Sequence, residues 1–153
     1  MRLDFNVLWV DDQPSVVEAQ IIAIQKRMVE QGFAFVPRLC KSMDEVRGII
    51  TDAVFTDEID LVLVDWDLGG GVEGQEAIAE IRETVRYKDV VFYSARDTID
   101  LRKAAFEKGL EGVYCANRGE LVEEVMGVFE SLVKKGSCLP FSTQNGVGAI
   151  GRT

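Results

Sequence analysis

Residues 59–68 read IDLVLVDWDL, and this stretch decides the fold. Its apolar run, Leu61–Val64, is continuous and is followed at once by the acidic Asp65. A short continuous apolar run is typical of a strand covered on both faces, as the strands of a parallel sheet are. The same arrangement recurs in residues 5–12 (FNVLWVDD) and 90–95 (VVFYSA). The sequence therefore predicts parallel strands that end in polar side chains.

Two weaker apolar runs, residues 33–39 and 112–115, bring the predicted strands to five. Pro37 lies inside the first of them and favours an edge strand. Helical patterns follow all five runs, and five strand–helix pairs indicate an α/β domain with right-handed crossovers. The predicted helices are marked by Val17, Ile21, Ile24 and Met28; by the Ser42–Glu45 capping box and a segment through Ile50; by Ala77, Ile78, Ile81 and Val85; by Leu101, Ala104 and Ala105; and by Leu121, Val122, Val125, Phe129 and Leu132.

Composition narrows the class of protein. The chain of 153 residues is 47% apolar and 28% charged, which is typical of one globular domain. A net charge of −9 disfavours nonspecific binding to nucleic acid or to a membrane surface. The chain has no histidine, which excludes histidine-based metal sites and Ser-His-Asp triads. Three scattered cysteines (Cys40, Cys115 and Cys138) and no long apolar run indicate reduced thiols and a cytoplasmic location.

The predicted domain covers residues 1–135. Residues 136–153 are rich in glycine, serine and threonine, and we interpret them as a C-terminal tail or a truncated linker. An arm that docks on this or a neighbouring subunit remains the alternative.

Polar residues stand at the ends of three predicted strands: Asp11 and Asp12, Asp65, and Ser94. Carboxyl ends of parallel strands share one edge of the sheet, so we expect these side chains to meet in one crevice. Two carboxylates about 5 Å apart repel by roughly 3 kcal/mol at an effective dielectric near 20. An all-oxygen set of this kind favours Mg²⁺, or a similar hard ion such as Mn²⁺. The simpler interpretation is that each aspartate only caps the helix that follows it.

The stretches VLWVDD, DLVLVDWDL and VVFYSA resemble the receiver domain of bacterial response regulators, the phosphoacceptor modules of two-component systems. The resemblance covers approximately residues 4–135. It implies a flavodoxin-like, doubly wound sheet of five parallel strands in the order 2-1-3-4-5, flanked by five helices.

The same resemblance implies roles for single residues. Asp65 would be the phosphoacceptor, and Asp11 and Asp12 would hold the metal, with Asp12 as a direct ligand. Asp67 would offer its backbone carbonyl to the metal. Ser94 would stand at the Ser/Thr switch position and donate a hydrogen bond to the phosphoryl group.

Partners also follow from the resemblance. The phosphoryl donor would be a phosphohistidine on a sensor histidine kinase or a histidine phosphotransfer protein, which fits a chain without histidine. A downstream protein or a fused output domain would read the switch, and a homodimer is possible. The resemblance describes a signalling module and not an enzyme.

One departure from the family concerns the lysine that usually ends the fifth strand. Here the stretch reads YCANRG, which puts Ala116, or with one insertion Asn117, at the lysine position. Arg118 and Arg96 are the candidate substitutes, although a guanidinium is not equivalent to an ammonium group. Slow phosphorylation, an altered lifetime of the phosphorylated form or weakened switching would follow.

Two further departures concern the aromatic switch position and the loop after the phosphoacceptor. The aromatic position falls on either Val113 or Tyr114. The usual proline of the loop is replaced by three glycines, residues 69–71, which suggests a more flexible loop with about one extra residue. Beside the pocket, Asp67 and Arg96 are expected to form an ion pair that screens the site from water, and Arg96 is a tentative functional residue.

Two alternative functions remain open. A receiver fold without the lysine could be a pseudo-receiver, an interaction module with impaired phosphotransfer. Asp65-Trp66-Asp67 also resembles the D-x-D motif of haloacid-dehalogenase-type phosphatases, with Ser94 as the second motif. In those enzymes the metal motif comes last in the chain, whereas here Asp11 and Asp12 come first.

Overall fold

The computed structural model describes residues 3–135. Within them, five parallel strands form one sheet in the order β2-β1-β3-β4-β5, which confirms the predicted order. The strands are β1 (Leu3–Val10), β2 (Phe33–Cys40), β3 (Leu61–Asp65), β4 (Asp89–Ser94) and β5 (Val113–Asn117). Pro37 lies in β2, at the edge of the sheet, where its missing N–H costs no ladder hydrogen bond to a further strand.

Within residues 3–135, six α-helices flank the sheet, one more than predicted. They are α1 (Pro14–Val29), α2 (Met43–Ile49), α3 (Ala53–Glu58), α4 (Gly74–Ile81), α5 (Leu101–Glu107) and α6 (Leu121–Lys134). The additional helix is α3. None of its residues is fully buried, so the sequence shows no apolar stripe for it. The helix begins after Asp52, whose carboxylate accepts hydrogen bonds from the N–H groups of Val54 and Phe55.

The start of α2 follows the expected pattern only in part. The Ser42 hydroxyl accepts a hydrogen bond from the Glu45 N–H at 3.3 Å, as an N-cap does. The Glu45 carboxylate accepts from the Lys41 N–H at 2.8 Å, one residue earlier than in a capping box.

Each face of the sheet has its own apolar layer. Helices α1 and α6 cover one face, and helices α2 to α5 cover the other. Because side chains alternate along a strand, Val91 and Tyr93 of β4 face the α1–α6 layer, whereas Val90 and Phe92 face the α2–α5 layer. The same alternation decides which polar groups at the strand ends can meet.

Two features predicted from the sequence fall beyond residue 135. The proposed tail, residues 136–153, and Cys138 within it lie outside the described residues. None of the helices between residues 3 and 135 is both long enough and apolar enough to cross a membrane.

Candidate functional site

Three carboxylates meet at the edge of the sheet that the C-terminal ends of the strands form. Asp11 and Asp12 directly follow β1, and Asp65 is the last residue of β3, the neighbouring strand. One oxygen from each of the three lies within 4.8 Å of the others. The structure therefore brings together residues that are more than fifty positions apart in the sequence.

Asp11 is fully buried and both of its oxygens accept hydrogen bonds. Oδ1 accepts from the Gln13 N–H at 2.8 Å. Oδ2 accepts from the Tyr93 hydroxyl at 2.6 Å and from Arg118 Nη2 at 2.9 Å. These contacts hold the buried Asp11 carboxylate in a fixed orientation.

Asp65 is buried beside Asp11 and is only partly neutralised. Burial raises the pKa of the Asp65 carboxyl to about 7, and the negative charge of Asp11 is the second cause. Arg118 opposes this shift, because its Nη2 lies 3.2 Å from Asp65 Oδ2. Burial and the charge of Asp11 also raise the pKa of Asp12. One arginine thus offsets part of the charge of three carboxylates, and the site favours a further cation.

The carboxylates fit a small, hard metal ion. Ligand oxygens of an octahedral Mg²⁺ ion lie roughly 3–4 Å apart, since each bond is about 2.1 Å long. The spacing of up to 4.8 Å in the cluster needs only a small contraction to reach this range. Asp12 and Asp65 are suited to hold such an ion directly, because Asp11 Oδ2 is already engaged by two donors.

Arg118 provides the positive charge of the site. Asn117, the last residue of β5, pairs with Ser94, and its side chain accepts from the Glu120 N–H at 3.0 Å. Ala116 is buried and uncharged. Arg118 begins the 3₁₀ turn after β5 and points back into the cluster, with its side chain only 17% exposed. Of the two candidate substitutes for the lysine, the structure places Arg118, not Arg96, against Asp65.

A buried tyrosine and tryptophan lie directly behind Asp11, and the sequence analysis did not identify them as part of the site. Trp9 Nε1 donates a hydrogen bond to the Tyr93 hydroxyl at 2.8 Å. Burial and the charge of Asp11 raise the pKa of Tyr93 well above its usual value, so the hydroxyl keeps its proton and donates a hydrogen bond to Asp11. The ring of Tyr93 also lies 5.2 Å from the guanidinium carbon of Arg118.

Ser94 and Asp67 lie at the margin of the cluster. Ser94 is buried at the end of β4, and its hydroxyl accepts from the Arg96 N–H at 2.9 Å. Within residues 3–135 it makes no hydrogen bond to Asp65. Asp67 donates its N–H to Asp65 Oδ1 at 3.4 Å, and its side chain lies 3.3 Å from Arg96 Nη2. The expected contact between Asp67 and Arg96 is present, and both side chains are exposed.

The three glycines that follow Leu68 all have positive φ, between 58° and 81°. The turn contains two backbone hydrogen bonds, from Val72 N to Gly69 O at 3.0 Å and from Leu68 N to Val72 O at 3.3 Å. A Cβ on Gly69 would lie 2.9 Å from Asp12 Oδ2. The positive φ therefore favours glycine at residue 69, and a larger residue would also displace the Asp12 carboxylate.

The two candidates for the aromatic switch position face opposite layers. Val113 packs against the α2–α5 layer, and Tyr114 packs against the α1–α6 layer. Because side chains alternate along β4, the side chain of Ser94 lies on the same face of the sheet as those of Val90 and Phe92, which is also the face of Val113. No aromatic ring of β5 therefore lies on the Ser94 side of the described sheet.

No protein-family model matches the chain, and no curated protein is significantly similar to it. Solved structures are similar. A CheY-like receiver domain protein from Methanospirillum hungatei JF-1 is 16% identical, with a TM-score of 0.60 over 86% of this chain and 98% of that chain. A response regulator from Burkholderia pseudomallei is 17% identical, with a TM-score of 0.60 over 88% and 71%.

The structure of the CheX–CheY–BeF₃–Mg²⁺ complex from Borrelia burgdorferi contains a chain that is 26% identical to this one. The TM-score is 0.56, and the match covers 82% of this chain and 89% of that chain. These likenesses, together with the order of the strands, show that the chain has the fold of response-regulator receiver domains.

Proposed function

We propose that the chain is the receiver domain of a two-component phosphorelay and that it accepts a phosphoryl group on Asp65. The observation that carries this proposal is a buried carboxylate, Asp65, with the oxygens of Asp11 and Asp12 within 4.8 Å and the Arg118 guanidinium at 3.2 Å. A carboxylate that attacks a phosphoryl group must approach negative oxygens, so nearby positive charge lowers the barrier.

The reaction needs a donor from outside the chain, which has no histidine. A carboxylate oxygen of Asp65 attacks the phosphorus of a phosphohistidine, forming a P–O bond as the P–N bond breaks. The electron pair of that bond returns to the imidazole nitrogen, which takes up a proton. The resemblance to receiver domains implies that the partner is a sensor histidine kinase or a histidine phosphotransfer protein.

A bound Mg²⁺ or Mn²⁺ would neutralise the oxygens of the transferred group. Asp12 and Asp65 would hold it, together with the Asp67 backbone carbonyl, and Asp11 would support it while fixing Arg118. The Ser94 hydroxyl, which now accepts from the Arg96 N–H, keeps its own hydrogen available as a donor to a phosphoryl oxygen.

Two of the similar structures support the ligands in this proposal. The Burkholderia pseudomallei response regulator contains a phosphorylated aspartic acid and a calcium ion. The Borrelia burgdorferi complex contains BeF₃ and Mg²⁺, and its two proteins, CheX and CheY, are bound to each other. By analogy, a cytoplasmic protein partner or a fused output domain would read the phosphorylated state of this chain.

Beryllofluoride, a mimic of the phosphoryl group, tests the proposal. In saturating Mg²⁺, we expect beryllofluoride at a hundredfold excess over its dissociation constant to raise the free energy of unfolding by about 2.7 kcal/mol. Urea unfolding followed by circular dichroism measures the change. Asp65→Asn should lose the gain, and Asp57→Asn, an exposed aspartate of α3, should keep it.

An absence of any gain in the wild-type protein would favour the pseudo-receiver, which the uncharged Ala116 and Asn117 at the end of β5 make the second candidate. An aspartyl phosphatase would instead hydrolyse small phosphomonoesters repeatedly, which a colorimetric assay for released phosphate detects.

The contact between Arg96 and Asp67 leads to a prediction about the lifetime of the phosphorylated form. We infer that the ion pair of Arg96 and Asp67, 3.3 Å apart, screens the pocket from water, so Arg96→Ala should shorten the half-life of phospho-Asp65. Exposed pairs contribute about 0.2–1 kcal/mol, which corresponds to at most about a fivefold change. Decay of the radiolabelled protein measures it, with Arg86→Ala, exposed before the start of β4, as the control. An unaltered half-life would remove this role for Arg96.

A further inference from the structure

A chain of buried contacts connects the α1–α6 layer to the acidic site. It runs from Trp9 Nε1 to the Tyr93 hydroxyl (2.8 Å), from there to Asp11 Oδ2 (2.6 Å), and from Asp11 Oδ2 to Arg118 Nη2 (2.9 Å). Trp9, Tyr93 and Asp11 are all fully buried. The function proposed above explains the carboxylate and the arginine, but not the two aromatic residues.

The donors and acceptors in this chain have a fixed direction. An indole N–H can only donate, so the Tyr93 oxygen must accept from Trp9. An ionised carboxylate can only accept, so the single Tyr93 hydroxyl hydrogen goes to Asp11. Asp11 Oδ2 therefore has a defined position, and Arg118 is directed toward Asp65 from that position.

Tyr93 constrains Arg118 in a second way. Its ring lies 5.2 Å from the guanidinium carbon, within the range of a cation–π contact. Arg118 is thus held by the ring of Tyr93 and, through Asp11, by its hydroxyl. Because an arginine side chain has many rotamers, two restraints on one guanidinium greatly limit the orientations it can adopt.

The orientation leaves one donor of Arg118 unused. Nη2 contacts both Asp11 and Asp65, whereas Nη1 is buried and has no hydrogen-bond partner among the described residues. A buried donor without an acceptor is costly unless a ligand satisfies it. A phosphoryl group on Asp65 would bring negative oxygens next to this guanidinium.

We propose that Tyr93 is a positioning residue of the phosphoacceptor site, which fixes Arg118 through Asp11 so that Nη1 is available to a phosphoryl oxygen on Asp65. The inference rests on the proposed function and deepens it. Tyr93, a residue of the α1–α6 layer, would orient Arg118, the only cation that the described structure places against Asp65.

A double-mutant cycle tests this inference. Tyr93→Phe keeps the ring but removes the hydroxyl, and we expect it to weaken beryllofluoride binding in saturating Mg²⁺ by about tenfold. Arg118→Ala should weaken it by about a hundredfold, because a partner of a buried charged contact is lost. In the Arg118→Ala background, Tyr93→Phe should have no further effect, since Tyr93 acts through Arg118.

Titration calorimetry on the full chain gives the four affinities. Tyr114→Phe is the matched control on the adjacent strand and should bind beryllofluoride as the wild-type protein does. Should Tyr93→Phe fail to fold, Trp9→Phe performs the same test, because it frees the Tyr93 hydroxyl to rotate. Its smaller loss of affinity should likewise vanish in the Arg118→Ala background.

The outcomes separate the two proposals. An equal loss from Tyr93→Phe with and without Arg118 would show a general structural role and overturn the inference, as would an unchanged affinity. Wild-type protein that binds no beryllofluoride would instead overturn the proposed function, and the role of Tyr93 with it.

Discussion

Protein carrying Asp65→Asn is expected to incorporate no phosphate from acetyl phosphate and Mg²⁺ under conditions that label the wild-type protein. The amide lacks the anionic oxygen that attacks phosphorus. Asp11 cannot easily replace it, since the structure buries this residue and occupies both of its oxygens with hydrogen bonds. We expect the phosphorylated fraction of the protein to fall to the background seen in unlabelled protein. Mass spectrometry of the intact chain measures this fraction.

Asp57→Asn is the matched control for this experiment, because it removes one carboxylate from exposed α3 and should label normally. Acyl phosphates are labile to hydroxylamine, so treatment with this nucleophile distinguishes labelled aspartate from labelled serine. Undiminished labelling of Asp65→Asn would place the phosphoacceptor elsewhere and refute the assignment.

The same substitution should stabilise the protein when divalent ions are chelated, increasingly so as the pH rises. The folded-state pKa of Asp65 is raised from the usual 3.8 to about 7, chiefly by burial and next by Asp11. The folded protein therefore binds this proton more tightly than the unfolded chain does. The contribution of this proton to the free energy of unfolding is present in full below about pH 4 and is lost as the pH rises through 7.

Asparagine has no proton to lose, so the difference between the two proteins grows between pH 4 and pH 7 and is constant above. A pKa of about 7 in the folded protein, against 3.8 in the unfolded chain, corresponds to at most about 4 kcal/mol in the free energy of unfolding. Urea unfolding in the presence of a chelator at pH 5 and pH 8 measures the difference, with Asp57→Asn as the comparison for one lost surface charge. A difference that is equal at both pH values would contradict the electrostatics of the cluster.

The strands could be predicted because their signal is local. Each apolar run is written continuously in the sequence, and parallel pairing places its last residue at a shared edge. That argument was sufficient to bring Asp11, Asp12 and Asp65 together. The short helix α3 was missed because none of its residues is fully buried and its only local sign is the capping residue Asp52.

The cation and its support could not be predicted in the same way. The sequence offered Arg96 and Arg118 as equal candidates, and only the 3₁₀ turn after β5 decides that Arg118 reaches Asp11 and Asp65. Trp9 and Tyr93 lie 84 positions apart inside apolar runs, where aromatic residues usually indicate core. Their polar atoms become informative only once the pairing of the strands is known.

The register of β4 decides which layer each of the two hydroxyl groups at its end faces. Tyr93 and Ser94 are separated by one peptide unit, and the pleat directs them to opposite layers. A slip of β4 by a single residue could place the serine beside Trp9, and it would turn the tyrosine toward the α2–α5 layer. An insertion or deletion within β4 would thus remove both hydroxyl groups from their places at once, even if the strand kept its apolar composition.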